Sequence, residues 1–217
     1  KHPYKKVNDN FVISMAKWYQ TLHSITSTKI DAKERRIFNS LIYWCNNHIG
    51  KCMNYRNQVS KNLSKEIDIF FKELIRRINN YDSLFKTRNE FSLNQNDPSE
   101  DNIFIIDGKI KVIDWEFSGY GLYERDLILF LERYNLSNKQ ETLFFRYYGR
   151  ERNELVKRLS ILSVILSCGD ISYLLNRLSL ISEGKISKIK QSSKKKPLEQ
   201  KLMKILKDAN KKLEELK

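Results

Sequence analysis

Cysteine is scarce in this chain. Cys45, Cys52 and Cys168 form neither a Cys-x-x-Cys pair nor an even framework, and His23 and His48 do not complete a zinc spacing. This excludes a disulfide scaffold and a structural zinc module, and it predicts reduced, mostly buried thiols. Long apolar runs are lacking too. None reaches the ~20 residues needed to cross a bilayer. The opening KHPYKKVNDN has no apolar stretch behind it that could serve as a secretory signal. The expectation is a cytoplasmic chain with no membrane partner. Glycine is rare as well, and of seven only Gly119 and Gly121 stand close together. No internal repeat and no long low-complexity tract is visible.

What is present is enough to fold. A chain of 217 residues, 41% hydrophobic and 12% aromatic, lies far from the disordered regime and can bury a core, either as one large domain or as two lobes. The formal net charge of +14 raises the question of nucleic acid. From Lys185 to Lys217, however, twelve lysines face four acids, so +8 of the +14 sits in one tail. Those lysines alternate with acids and not with base-stacking aromatics. Nucleic acid is not the expected partner.

Helical periodicity dominates. Apolar Ile13, Ala16, Trp18, Tyr19 and Leu22 recur close to every 3.6 residues, which predicts an amphipathic helix over Phe11 to Ser24 with Asn10 as its cap. Further helices are expected over Ala32 to Ile49, Leu63 to Ile78, Glu124 to Arg133, Lys139 to Tyr148, Glu151 to Ser167 and Ile171 to Ser182. KIKQSSKKKP, residues 188–197, reads as a solvated linker before a last helix from Leu198 that is charged on most faces, so this tail should be separable from the fold. One β feature interrupts the helices. Ile103 to Ile106 and Lys109 to Ile113 flank Asp107-Gly108, a strong two-residue hairpin turn.

Four carboxylates, Asp97, Glu100, Asp101 and Asp114, gather at the open end of that hairpin, where unneutralised like charges repel. The turn sets the register, with Asn102 opposite Ile113 and Asp101 opposite Asp114. Strict pleating sends the Asn102 and Asp114 side chains to opposite faces, so a shared ligand requires the ladder to break at the mouth. Carboxylate with carboxamide oxygen is a hard donor set, suited to Mg²⁺ that keeps waters and binds phosphates, and unsuited to zinc.

These residues sit in stretches with a family likeness. QNDPSEDN resembles the His-x-Asp-x-x-x-x-Asn catalytic loop of kinase-like enzymes, and VIDWE resembles the strand-end aspartate of the aminoglycoside phosphotransferase and choline kinase families. MAKWYQTLHS is similar to the Leu-His helix that opens their large lobe, and ERDLILFL to their following Asp-Leu helix. The four occur in the family's order and spacing and span roughly residues 11 to 131.

The resemblance implies a mainly α fold with a small β-hairpin: the C-terminal lobe of a protein-kinase-like structure. It implies an ATP- and Mg²⁺-dependent phosphotransferase acting on a small-molecule hydroxyl, with a non-catalytic ligand- or partner-binding relative as the alternative. Asp97 matches the catalytic base, Asn102 and Asp114 the Mg²⁺ ligands. Asp126 and Gln95 match residues that support the loop, and His23 a packing position. Gln95 stands where the family has histidine, which is expected to remove one hydrogen-bonding element. Trp115, Glu116, Tyr120 and Tyr123 are candidates for lining a cationic acceptor's site.

The expected division is a helical lobe over residues 1–184 and a lysine-rich linker with terminal helix over 185–217. The small nucleotide lobe, with its glycine loop and lysine, has no counterpart in the ten residues before Phe11. Its docking onto this lobe is therefore expected from outside this sequence, and the 217 residues alone are expected to bind nucleotide weakly.

Overall fold

The computed structural model describes residues 7–85, 90–149, 152–185 and 195–216. Contacts divide the chain into two compact units, each built from two separated segments: 1–35 with 87–162, and 36–86 with 163–217. The expected boundary at 184/185 is not where the contacts divide it.

In the first unit, Asn8 starts helix α1 (Asp9–His23) by accepting from the Phe11 amide at 2.9 Å. The cap thus falls two residues before Asn10, because the Asn8 backbone is extended while Asn10 is already helical. The buried face of α1, including Phe11, Met15, Tyr19 and Leu22, packs mainly on α6 (Asn138–Tyr148). Helix α5 (Glu124–Tyr134) adds Phe130, whose ring lies 5.6 Å from Tyr19 and 5.2 Å from Phe144. This aromatic layer is the core beneath the site. α6 itself begins with a capping box made by Ser137 and Gln140.

The strands are short. β1 (Thr26–Ser27) pairs antiparallel with β2 (Phe91–Asn94). β3 (Ile103–Ile106) and β4 (Lys109–Val112) form the expected hairpin, with Ile106 opposite Lys109 and Ile103 opposite Val112. Asp107 and Gly108 both take positive φ, 51° and 72°, as a type I′ turn requires. β5 (Gly119–Gly121) then joins β2, giving a three-stranded sheet of order β1-β2-β5. Sequence patterning shows the hairpin and not this sheet, whose strands have two to four residues and no alternation long enough to read.

The division between units falls within α2 (Ala32–Asn39) and within α7 (Arg152–Ser182). Where the pattern predicts one helix from Ala32 to Ile49, the chain breaks at Ser40 and restarts as α3 (Leu41–Met53). Ser40 is extended, and its hydroxyl accepts from Tyr43 N. The buried carboxylate of Asp82 accepts from Leu41 N at 2.8 Å, so a side chain far along the chain completes the cap. Conversely, the two helices expected between residues 151 and 182 are one. Gly169 lies inside α7 at a point where an added Cβ would stand 3.3 Å from His48 Cε1, a close approach that suits glycine.

α7 is long and apolar enough over Leu155–Ser182 to cross a membrane by length and composition, yet 61% of its most apolar stretch is buried inside the protein. It is a core helix here. The three thiols are free and buried. Burial pushes the Cys52 thiol up to about 11 and raises Cys168 further from ionisation, so neither is a nucleophile at neutral pH.

The last helix, α8 (Lys195–Glu215), corrects the expectation of a separable tail; of the expected linker, 188–194 lie outside the described residues. Leu198, Leu202, Leu206, Ala209 and Leu213 are buried in one stripe, and the helix packs on α4 (Lys61–Ile78). Arg77 of α4 donates to the carbonyls of Leu213 at 2.9 Å and Leu216 at 3.3 Å, closing the helix end. The charged residues cover only the outer faces. Leu202→Ala should therefore destabilise the protein by about 2–5 kcal/mol. Removing residues 195–217 should abolish the cooperative unfolding transition of the second unit, read by denaturant titration.

Candidate active site

β2 delivers the chain to the loop Gln95-Asn96-Asp97, and a buried carboxylate fixes its path. Asp126, in the first turn of α5, is 0% exposed. Its Oδ2 accepts from Gln95 N at 2.8 Å and its Oδ1 from Asn96 N at 2.7 Å. Two successive amides aimed at one carboxylate bend the backbone sharply, and Asn96 takes φ 67°. His23 Nε2 lies 3.2 Å from Asp126 Oδ2 while its Nδ1 meets the Tyr148 hydroxyl at 2.9 Å. His23 is therefore a buried strut that spans α1, α5 and α6. The loop-supporting place of Asp126 follows directly from these bonds.

Gln95 does not leave the expected gap. Its Oε1 accepts from Asp97 N at 2.8 Å, and its Nε2 donates to the carbonyl of Asp114 at 3.2 Å. One buried carboxamide thus ties the loop to the end of the hairpin. Asn96 Nδ2 adds a second tie by donating to Phe117 O at 2.9 Å.

Asp97 is partly buried. Its Oδ2 accepts from Asn102 Nδ2 at 2.8 Å, and Arg133 of α5 places Nη2 3.7 Å from Oδ1. Asn102 is buried at the end of a single 3-10 turn, Glu100–Asn102. With its nitrogen committed to Asp97, the carboxamide oxygen is the atom left to meet a cation. Ile113 N donates to Asn102 O at 3.0 Å, as the register predicts, and there the ladder ends. Asp114 takes φ 57°, so strict alternation no longer governs where its side chain goes. Asp114 is exposed, as are Glu100 and Asp101.

The structure thus links Asp97 to Asn102 directly, and Gln95 joins the Asp97 amide to the Asp114 carbonyl. Among the described residues, no three His, Cys, Asp or Glu side chains converge to hold a metal. A carboxylate and a carboxamide oxygen still suit Mg²⁺, which is held by few protein groups and completes its shell with water and phosphate oxygens.

The aromatic candidates separate. Trp115 and Tyr120 are exposed, Glu116 likewise, and Trp115 Nε1 donates to Val112 O at 3.0 Å. Tyr123 departs from the expectation: it is buried, with its ring 5.8 Å from His23 and 6.3 Å from Tyr148, and it packs the support beneath the loop. Exposed Ile113 and Phe117 were not anticipated beside the site. Neither were Arg133 nor the buried pair of Glu124 and Arg158, joined at 2.6 Å. A basic residue in the last turn of a predicted helix signals Arg133. Nothing local signals Tyr148 or Arg158, whose partners lie far away in the chain.

A sequence model of the family described as Choline/ethanolamine kinase matches residues 5–147, which include every residue of this loop and hairpin. The chain belongs to that family. It is 30% identical over 115 residues to a LicA homolog of Metamycoplasma hominis, covering 51% of this chain and 43% of the relative. The fold is similar to that of choline kinase LicA from Streptococcus pneumoniae, with TM-score 0.59, 14% identity, and coverage of 94% of this chain and 63% of that one. A choline/ethanolamine kinase family protein from Mesorhizobium loti gives TM-score 0.60 at 12% identity, covering 94% and 61%. Aminoglycoside phosphotransferase APH(2'')-Ib, solved with ADP, gives 0.55 at 17%, covering 94% and 63%. The kinase-like fold is common to all three. The chain spans less than half of the curated relative and under two thirds of each solved chain.

Asp126→Ala would strand the Gln95 and Asn96 amides in a buried setting. It should cost at least ~2 kcal/mol in a denaturant melt, since each unsatisfied buried donor costs ~1–3 kcal/mol. Exposed Glu116→Ala should change the same melt by no more than ~0.5 kcal/mol.

Proposed function

We propose that this chain is the large lobe of a phosphotransferase that moves the γ-phosphate of ATP to the hydroxyl of a small alcohol, choline or a similar acceptor. The observation that carries the reading is the Asp97–Asn102 pair, held on a loop that a buried carboxylate shapes. Asp97 accepts the acceptor's proton as the oxygen attacks, and the Asn102 hydrogen bond holds its carboxylate in place for that task. Asn102 Oδ1 and the exposed Asp114 carboxylate would hold Mg²⁺, which supplies charge neutralisation on the nucleotide phosphates. Gln95 keeps these two elements in register through its two hydrogen bonds.

On the acceptor side, exposed Trp115 and Tyr120 offer ring faces and Glu116 a negative charge, a combination that suits a quaternary ammonium. The names of the relatives, choline kinase and aminoglycoside phosphotransferase, point to the same class of cationic alcohols. A cytoplasmic setting is part of the same proposal. A non-catalytic binding protein would be favoured if Gln95, in place of the family's histidine, left the loop unsupported. Because that residue here bonds both the loop and the hairpin end, the reading that keeps the chemistry is better supported.

In a protein carrying both this lobe and a nucleotide lobe, Asp97→Asn should lower kcat by roughly 10²–10⁴-fold with little change in the KM for Mg·ATP. Asp114→Asn should instead raise that KM and the Mg²⁺ concentration needed for half-maximal rate. Choline, ethanolamine and an aminoglycoside, each offered in a coupled ADP-release assay, would sort the acceptors. Unchanged turnover in both variants, with an acceptor that the wild type uses, would overturn the assignment.

A further inference from the structure

The second unit holds a cavity of about 520 Å³ that plays no part in the chemistry above. Its volume lies within the ~300–1,000 Å³ typical of small-molecule sites. The floor is apolar: Ile49 and Met53 come from α3, and Phe71 and Ile75 from α4. Three charged groups complete the lining, Arg56 and Lys72 against Asp68.

The charges do not cancel. Arg56 and Asp68 approach only to 3.8 Å, with side chains 41% and 37% exposed, a solvent-screened pair that holds neither group firmly. Arg56 Nη1 is otherwise 3.5 Å from Met53 Sδ, a weak acceptor. Lys72 is exposed and has no ion-pair partner among the described residues. The rim therefore carries a net positive charge beside an apolar floor. A ligand that satisfies both needs an apolar body and one anionic head. A cationic amphiphile would set its head against Lys72, and a neutral one would leave that ammonium unmatched.

We propose that this cavity binds a soluble single-chain carboxylate, with the chain seated on Ile49, Met53, Phe71 and Ile75 and the carboxylate paired with Lys72 and Arg56. The proposal stands apart from the phosphotransferase reading, since none of these residues belongs to the loop or the hairpin.

Isothermal titration of the full chain with decanoate, kept below its self-association concentration, and with decyltrimethylammonium tests it directly. Decanoate should bind saturably at one per chain, and decyltrimethylammonium at least tenfold more weakly. Lys72→Glu should weaken decanoate at least tenfold, and Ile49→Trp, which fills the cavity, should abolish its binding while the melt stays cooperative. If Ile49→Trp does not fold, Ile75→Trp fills the same space from the facing helix. Equal binding of the two amphiphiles would overturn the proposal, as would decanoate affinity that ignores both variants. Binding to phosphatidylglycerol vesicles with none to soluble decanoate would overturn it too, and would make this a membrane-facing surface.

Discussion

Everything at the site hangs on a carboxylate that never meets solvent. Asp126 receives the amides of Gln95 and Asn96, and that double acceptance compels the loop to turn where it does. A non-glycine residue in the left-handed region costs of order 1–3 kcal/mol unless its surroundings hold it. Asn96 is held there by Asp126 below and by Phe117 O beside it. The carboxylate is itself pinned by His23, and His23 by Tyr148, so the aromatic core and the loop form one mechanical unit. A buried hydrogen-bonded network of this kind specifies a single geometry because any member left unpaired is expensive.

Asp114 and Asp126 show how one residue type occupies opposite environments. Asp126 is sealed in and spends both oxygens on the backbone. Asp114 stands in the open at the broken end of a ladder, its carbonyl fixed by Gln95. A structural carboxylate has to exclude water, whereas the cation-ligand role proposed for Asp114 needs a carboxylate that water can reach. The left-handed backbone at Asp114 makes this contrast possible by releasing its side chain from the pleat.

What could be read in advance was what is local. The Asp107-Gly108 turn fixes its own register, and with it the positions of Asn102 and Ile113, because two positive φ values in a row leave few alternatives. The places of Asp97, Asn102, Asp114 and Asp126 were legible through the family likeness of the stretches that carry them. What could not be read depends on distant partners. Helix α3 starts at Leu41 because Asp82 reaches it, and α7 runs unbroken through Gly169 although that glycine reads as a stop. The stripe of Leu198, Leu202, Leu206, Ala209 and Leu213 is helical in spacing, but the density of lysine around it disguised an inward face as a solvated one. Tyr123 was misplaced because an aromatic near an acidic loop reads equally as lining or as support. Burial alone decides between them.

The interleaving of the two units has a consequence for the order of events during synthesis. Helices α3 and α4 emerge well before the residues that cover them, from Ser163 onward. Between them the chain must make the second segment of the other unit, 87–162. Ile67, Phe70 and Leu74 therefore wait through the synthesis of that intervening segment without their final neighbours, exposed to water or to chaperones. Contacts so far apart in sequence make closure slow, because the loop entropy must be overcome before the contacts return anything. Neither unit can be produced as a simple stretch of the gene, and a ribosome stalled before α8 would hold a nascent chain with a formed Gln95–Asp97 loop and an unfinished core in the second unit.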